Sequence, residues 1–392
     1  MSTTRGYHSP ELYPAKLRED VINAFPSFKD DVLADVNDRL TVSSSDTLKR
    51  SIINYFNTCM DYTTKDGGKL NRGTSLVAAF DILHDNNDDG DDRDIALKLA
   101  WCVEILQSHF LTLDDVMDSS TTRRGKPCWY RRSDVGVSNA INDGVFLYST
   151  IFPLIRRIAS KKEWLMDVME VFANIEQCTL IGQHLDVNGS VAALQEKKNN
   201  KGEEKEIERF NTIALYKTAF YTYYLPAAVG VLVSGDKEAK QYLPVIKEVC
   251  LKLGVYFQAQ DDFLDCYASP EVLGKVGTDI EECKASWLYC TAIDVLTEAE
   301  ADASGTEDDI EASHRILVEL YTLYNKKDKT PDDVNRVKAI YRNAPLDMAT
   351  RFATYEENSK KELDAIIANK IPHNGLRTLL TYMLDRTYKR SM

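Results

Sequence analysis

Glycine and proline are scarce in this chain, and that scarcity narrows what it can fold into. Only 18 Gly and 11 Pro are spread over 392 residues, and apolar residues recur at helical spacing from about Val32 onward with few breaks. A sheet protein of this length would need many more turn residues, so the expected class is all-α, and 44% hydrophobic residues suffice for a sizeable core. Four segments interrupt the pattern: a D-G-G-K turn at 66–69, an acidic loop at 85–92, a mixed-charge run at 197–206 and an acidic stretch at 298–311. None has the composition of an interdomain linker. The expectation is one helical domain over 32–392, with inserted loops near 190–208 and 297–312, behind an N-terminal extension of residues 1–31.

Composition excludes several classes of function. With 48 basic against 61 acidic residues the net charge is −13, which disfavours nucleic acid and anionic membrane as partners. The eight cysteines form no C-x-x-C pair and the six histidines show no H-E-x-x-H spacing, so neither a disulfide framework nor a zinc site is expected. No apolar run reaches transmembrane length, and the first residues lack the apolar core of a signal peptide. A soluble, cytoplasmic protein is expected. The acidic loop imitates an EF-hand through Asp85, Asn87, Asp89 and Gly90. Its twelfth position is Ala96, where calcium requires a bidentate Glu, so a solvated loop is the better reading.

The chemistry lies in a repeated D-D-x-x-D signature, Asp114-Asp115-Val116-Met117-Asp118 and Asp261-Asp262-Phe263-Leu264-Asp265. Each copy sits in a long apolar stretch free of nearby Gly and Pro. On a helix, carboxylates at i and i+4 share a face one turn apart. Aspartate is a poor helix former and like charges at this spacing repel, so such clusters cost stability unless cations neutralise them. Two clamps of hard oxygen ligands facing each other suit Mg²⁺, which keeps some waters and takes further ligands from substrate phosphates. One copy alone is weak evidence, and the neighbours strengthen it. Gln107, Phe110, Asp114 and Asp118 form one helical stripe, followed by Arg123-Arg124-Gly125 with guanidiniums suited to phosphate. Gln258, Asp261 and Asp265 form an equivalent stripe, followed by Lys275 and Lys284. The G-K-L-N-R-G run at 68–73 places Lys69 and Arg72 at a turn as a second anion site.

These motifs together resemble those of eukaryotic farnesyl diphosphate synthases. The likeness rests on L-D-D-V-M-D-S-S-T-T-R-R-G-K-P-C-W-Y at 113–130, on 257–265 with G-K-V-G-T-D-I-E-E-C-K-A-S-W at 274–287, on the G-G-K-x-N-R-G turn and on Y-K-T-A-F-Y at 216–221. It runs from about Val32 to Arg390. It implies an isoprenoid-synthase helical bundle around a deep central cavity, a homodimer, and head-to-tail joining of isopentenyl diphosphate to dimethylallyl and then geranyl diphosphate. By the same resemblance, Asp114 and Asp118 would bind two Mg²⁺ ions and Asp261 a third, with Asp115, Asp262 and Asp265 completing or supporting the cluster. Arg123, Lys217, Thr218, Gln258, Lys275 and Lys284 would surround the allylic substrate. Lys69, Arg72, Gln107 and Arg124 would hold isopentenyl diphosphate.

Such a reaction ionises an allylic C–O bond, which requires neutralising the departing diphosphate and excluding water from the cation. Thr218, the Gln258 side chain and the Lys217 carbonyl are candidates to stabilise the cation. Chain length would be set below Asp114. Phe110, one turn earlier, would block elongation at fifteen carbons, while His109, smaller than the aromatic ring of many relatives, leaves room for some twenty-carbon product. The ending also departs from relatives that close with basic residues, since Ser391 and Met392 are neutral. The nearest alternative is a geranylgeranyl diphosphate synthase. A terpene cyclase would carry an N-S-E-type second motif, and a non-catalytic partner subunit would have lost Asp or Lys residues that this chain retains.

Overall fold

The computed structural model of the protein describes residues 13–40, 45–65, 68–84, 91–196, 205–269, 277–301, 305–326 and 328–388. These residues are all-α, as expected. Through residue 158 the helices are α1 (Tyr13–Arg39), α2 (Asp46–Met60), α3 (Asn71–Leu83), α4 (Asp91–Met117) and α5 (Gly136–Ile158). Then come α6 (Leu165–Glu196), α7 (Glu206–Ile213), a π-helical segment (Ala214–Tyr224), α8 (Leu225–Val233), α9 (Lys237–Lys240) and α10 (Leu243–Tyr267). The chain continues through α11 (Trp287–Ala301), α12 (Glu307–Tyr324), α13 (Pro331–Arg342), α14 (Met348–Lys370) and α15 (Asn374–Tyr388). Strand structure among the described residues is one hairpin, β1 (Thr122–Arg123) with β2 (Lys126–Pro127). The EF-hand-like run at 85–90, most of the charged run at 197–206, Lys275 and the neutral ending lie outside the described residues. No helix among those described is long and apolar enough to cross a membrane.

Two compact units divide the chain. The first takes in the described residues through Glu176, with 221–247 and 371–383. Residues 13–31, set apart on sequence as an extension, form most of α1. Its Leu17, Val21, Phe25, Phe28 and Val32 repeat at spacings of three and four and are all buried. Each such burial contributes about 1.5–3 kcal/mol. Phe25 packs on Trp101 of α4 with ring centroids 4.4 Å apart, and the Trp101 indole N–H donates to the Val21 carbonyl at 2.7 Å. This anchors α4 within two turns of Gln107. The sequence of α8, L-P-A-A-V-G-V-L-V, is apolar all round, and every residue of it is buried. A Cβ at Gly230 would lie 2.4 Å from Ala79 Cβ and 2.7 Å from the Leu76 carbonyl, so only glycine lets α8 approach α3 this closely.

The second unit comprises 177–220, 248–370 and the end of the chain from Leu384. Here α11 packs on α7 and α12. Asp294 of α11 caps α7, its two oxygens accepting from the Glu206 and Ile207 amides at 2.8 and 2.9 Å. The rings of Phe263, Phe352, Trp287 and Tyr355 pack into one cluster, with centroids 4.3–6.4 Å apart at their contacts. That cluster fixes the second acidic stripe on α10 against the start of α11 and against α14.

Candidate active site

In the first unit, α4 carries Gln107, Phe110, Asp114 and Asp115, and it stops abruptly after Met117. Ser119 takes a left-handed conformation (φ 55°). The Ser120 amide then reaches back to the Asp115 carbonyl at 3.0 Å and the Ser119 amide to Val116 at 3.3 Å, a Schellman ending. Asp118 stays on the last turn through its amide bond to the Asp114 carbonyl at 2.8 Å. Tyr130 and Arg131 fasten this end by donating to the Ser120 carbonyl at 2.8 and 3.1 Å.

The R-R-G sequence then folds as a two-residue hairpin turn. Thr122 pairs with Pro127 and Arg123 with Lys126, leaving Arg124 (φ 52°) and Gly125 (φ 74°) at its tip, both left-handed as a type I′ turn demands. The turn sends the chain back toward α4. Arg123 donates from Nε to Asp115 Oδ1 at 2.7 Å, and its Nη2 lies 3.5 Å from Asp114 Oδ2. Asp115 is buried. Burial raises its carboxyl above the usual range, an effect Arg123 only partly offsets. Asp115 is therefore placed to hold Arg123, while Asp114 and Asp118 occupy the outer part of the stripe.

The G-K-L-N-R-G run leads into α3 through Leu70 in a left-handed conformation (φ 52°), with Lys69 exposed. Arg72 donates to the Tyr221 hydroxyl at 2.9 Å and to Thr222 at 2.8 Å, its guanidinium 4.4 Å from the Tyr221 ring centroid. Arg124 comes so close to Gly68 that a Cβ there would lie 3.3 Å from its guanidinium. Beneath these cations sits Glu104, which the motifs did not single out. Its carboxylate accepts from the Gly73 amide at 2.7 Å. Burial raises the Glu104 pKa, with Arg72 and Arg124 opposing. Gln107 is half-buried on the same helix. The first unit thus gathers the guanidiniums of Arg72, Arg123 and Arg124, groups suited to binding phosphate oxygens.

Phe110 lies against Tyr221 edge-on, with centroids 5.3 Å apart, and against His109 at 4.9 Å. His109 is buried and tied to α5. The Gly144 carbonyl 2.8 Å away can only accept, so Nδ1 carries the proton, and burial lowers the imidazole's pKa, favouring its neutral form. Gly144 matters to this contact, because a Cβ there would press to 2.9 Å on the Leu113 side chain.

In the second unit, Gln258, Asp261, Asp262 and Asp265 lie along the end of α10. Asp262 is buried. Burial raises its pKa, but the Trp287 amide at 2.8 Å and the Gln258 amide at 2.8 Å both donate to it. Gln258 in turn accepts the Thr218 hydroxyl at 2.7 Å, giving a directed chain Thr218, Gln258, Asp262. Asp265 accepts from the Asp279 amide at 3.1 Å, and a Cβ at Gly277 would lie 2.1 Å from the Asp265 carbonyl, so glycine allows that loop to close on α10. Thr218 and Lys217 belong to the π-helical segment. Two glycines press against this segment: a Cβ at Gly182 of α6 would lie 2.0 Å from the Lys217 nitrogen, and one at Gly254 of α10 would lie 2.3 Å from Ala219 Cβ. Lys217 and Lys284 both donate to one oxygen of Asp186 on α6, at 2.6 and 2.9 Å. Asp186 also escaped the motif reading. Its signal was an acid one turn after Gly182, with no other charged residue on α6 between Glu176 and Glu196.

The donor chemistry fits Mg²⁺. Among the described residues no group of three or more His, Cys, Asp and Glu forms a metal cage by itself. Mg²⁺ does not need one, since one or two carboxylates completed by water and phosphate oxygens suffice. Arg123 donates to Asp115, and the Trp287 and Gln258 amides donate to Asp262, which suits these two carboxylates to a supporting part.

Comparison with known proteins agrees with this chemistry. The sequence matches the polyprenyl synthetase family over residues 53–320. It is 34% identical over 377 residues to farnesyl pyrophosphate synthase 2 of Arabidopsis thaliana, covering 96% of this chain and 99% of that one. It is 35% identical over 362 residues to the farnesyl pyrophosphate synthase of Artemisia annua, covering 88% and 95%. Among solved structures, farnesyl diphosphate synthase of T. brucei complexed with a bisphosphonate superposes with a TM-score of 0.79 at 28% identity, covering 96% of this chain and 99% of that chain. The chain belongs to the polyprenyl synthetase family and is a prenyltransferase.

Proposed function

We propose that this protein makes farnesyl diphosphate, condensing isopentenyl diphosphate head to tail with dimethylallyl diphosphate and then with geranyl diphosphate. The observation that carries the reading is that each unit joins its D-D-x-x-D cluster to cations: in the first, Arg123 binds Asp115 with Arg124 beside it; in the second, Lys217 and Lys284 share Asp186, and Thr218, next to Lys217, reaches Asp262 through Gln258. Relatives that share a third of its residues are named for the fifteen-carbon product, which favours farnesyl over geranylgeranyl diphosphate.

Mg²⁺, three ions by this reading, would be held by Asp114 on α4, Asp118 just past its end and Asp261 on α10, with Asp265 in support, and would supply Lewis-acid neutralisation of the leaving group. The protein's own groups do the rest. Arg123, Lys217, Lys284 and Lys275 grip the allylic diphosphate. Lys69, Arg72, Gln107 and Arg124 hold isopentenyl diphosphate. Because Gln258 is fixed at both ends by Thr218 and Asp262, the oxygen dipoles of Thr218 and Gln258 keep one orientation and stabilise a carbocation without attacking it. No side chain is assigned the final proton, which the departing diphosphate can accept.

The ring of Phe110, braced by Tyr221 and His109, is the stop for the growing chain. A homodimer is part of this reading, supported by the exposed stripe Val137, Ile141 and Val145 on α5, which repeats every four residues. A cytoplasmic location rests on eight free cysteines, six of them buried, although one Arabidopsis relative is named mitochondrial. The test is purified protein with Mg²⁺, dimethylallyl diphosphate and labelled isopentenyl diphosphate, with product length resolved. A mainly twenty-carbon product overturns the chain-length assignment, and no condensation at all overturns the function.

A further inference from the structure

We infer that Asp186 is a positioning residue that sets the two lysines of the allylic diphosphate site side by side before substrate arrives. The inference rests on the proposed role of Lys217 and Lys284.

Three separate elements meet at one oxygen. Asp186 comes from α6, Lys217 from the π-helical segment, and Lys284 from the turn that leads into α11. Both ammonium groups donate to Oδ2, at 2.6 and 2.9 Å. The Asp186 side chain is only 10% exposed. Burial alone would raise its pKa, yet the two lysines outweigh burial and hold the carboxyl below the usual range.

The backbones behind all three groups are equally fixed. Gly182, one turn before Asp186, lets α6 touch the Lys217 backbone. The Lys284 amide donates to the Asp279 carbonyl at 2.9 Å, and its carbonyl accepts the Tyr324 hydroxyl at 3.2 Å. Glu282, the other acid beside Lys284, stands off at 3.8 Å.

Two ammonium groups on one oxygen would repel each other without the carboxylate. With it they stay paired and still carry one net positive charge. That arrangement matches a diphosphate, whose neighbouring phosphoryl oxygens can take one ammonium each while Asp186 keeps the pair in register. Asp186 itself touches no reacting atom.

The test uses the full chain with Mg²⁺ and measures KM for geranyl diphosphate and for isopentenyl diphosphate separately, together with calorimetric binding of inorganic diphosphate. Asp186→Asn, which keeps the shape and removes the charge, should raise the geranyl diphosphate KM and weaken diphosphate binding by about tenfold or more, with the isopentenyl diphosphate KM within about twofold. Asp186→Glu should recover part of the loss. Equal changes in both KM values, no change, or no recovery with Glu would mean that Asp186 only supports the fold and would overturn the inference. Lys217→Ala and Lys284→Ala separate the two layers. If they leave the geranyl diphosphate KM unchanged, the assignment of the lysines fails. If they raise it while Asp186→Asn does not, the positioning role alone fails.

Discussion

Gly182 is where a single methyl group should do the most damage to the second unit. An alanine there would put its Cβ 2.0 Å from the Lys217 nitrogen, 2.4 Å from the Tyr216 carbonyl carbon and 2.5 Å from Lys217 Cα, all of them backbone atoms. Ordinary contact begins at 3.4 Å, so α6 and the π-helical segment must separate by 1.4 Å. No side chain can rotate away to relieve this. Overpacking of that kind costs about 1–3 kcal/mol, which in a large domain lowers the melting temperature by about 2–4 °C per kcal/mol. The functional cost should be larger. A shift of 1.4 Å stretches the 2.6 Å bond from Lys217 to Asp186 and the 2.7 Å bond from Thr218 to Gln258 beyond hydrogen-bonding range. Misplacement of about 1 Å in a reacting geometry costs about a hundredfold in rate. Gly182→Ala should therefore melt several degrees early and turn over about a hundredfold more slowly. Asn188→Ala, at an exposed position on the same helix, should leave both unchanged. A Gly182→Ala protein that melts with the parent and keeps most of its turnover would refute the claim that this contact positions Lys217.

Phe110→Ala should lengthen the product, read by chromatography of the dephosphorylated prenols; an unchanged length removes Phe110 from the end of the chain path. Arg123→Ala deprives buried Asp115 of its guanidinium partner and should cost about 1–3 kcal/mol in a denaturant titration, with part recovered by adding Asp115→Asn; additive losses would show that the pair does not interact. Ile141→Lys places a charge in the exposed α5 stripe and should yield a monomer in sedimentation; a monomeric parent would sink the dimer reading outright. Because the folded-state pKa of Asp186 is lowered, its stabilising contribution is complete above about pH 4 and is lost as pH falls through the folded value. The stability gap between parent and Asp186→Asn should then be flat from about pH 5 to 8 and shrink in stronger acid; a gap that closes near neutrality contradicts the sign.

What could be read from the sequence was what local spacing controls. The i, i+4 placement of Asp114 with Asp118 and of Asp261 with Asp265 put these pairs on helices; the second motif lies within α10, and the first runs to the end of α4 with Asp118 just past it. The R-R-G run announced an anion contact, and it forms a turn that only left-handed residues at 124 and 125 permit. What stayed hidden depends on partners distant in sequence. The resemblance gave Asp115 and Asp262 a supporting part, but the groups that they hold, Arg123 and the Trp287 amide, showed only in the structure. Glu104 and Asp186 carried no motif at all. Their meaning lies in the cations that approach them: Arg72 and Arg124 at Glu104, and at Asp186 two lysines 31 and 98 residues further along the chain. The π-helical distortion at Lys217 has no periodic signature, and the two glycines packed against it, Gly182 and Gly254, lie far from it in sequence.

The stopping points of α4 and α10 carry an electrostatic consequence. Asp114 lies in the last turn of α4 and Asp118 just beyond it, while Asp261 and Asp265 lie in the closing turns of α10. Each acidic cluster therefore sits at the carboxyl pole of a long helix, where the aligned peptide dipoles add partial negative charge to that of the side chains. A carboxylate belongs by electrostatics at the opposite pole, and Arg123 offsets only part of that cost at α4, so a divalent cation bound at either cluster relieves the helix end. The two helix ends thus behave as springs loaded against divalent metal. Adding Mg²⁺ should raise the melting temperature in proportion to the logarithm of its concentration, before any substrate is present.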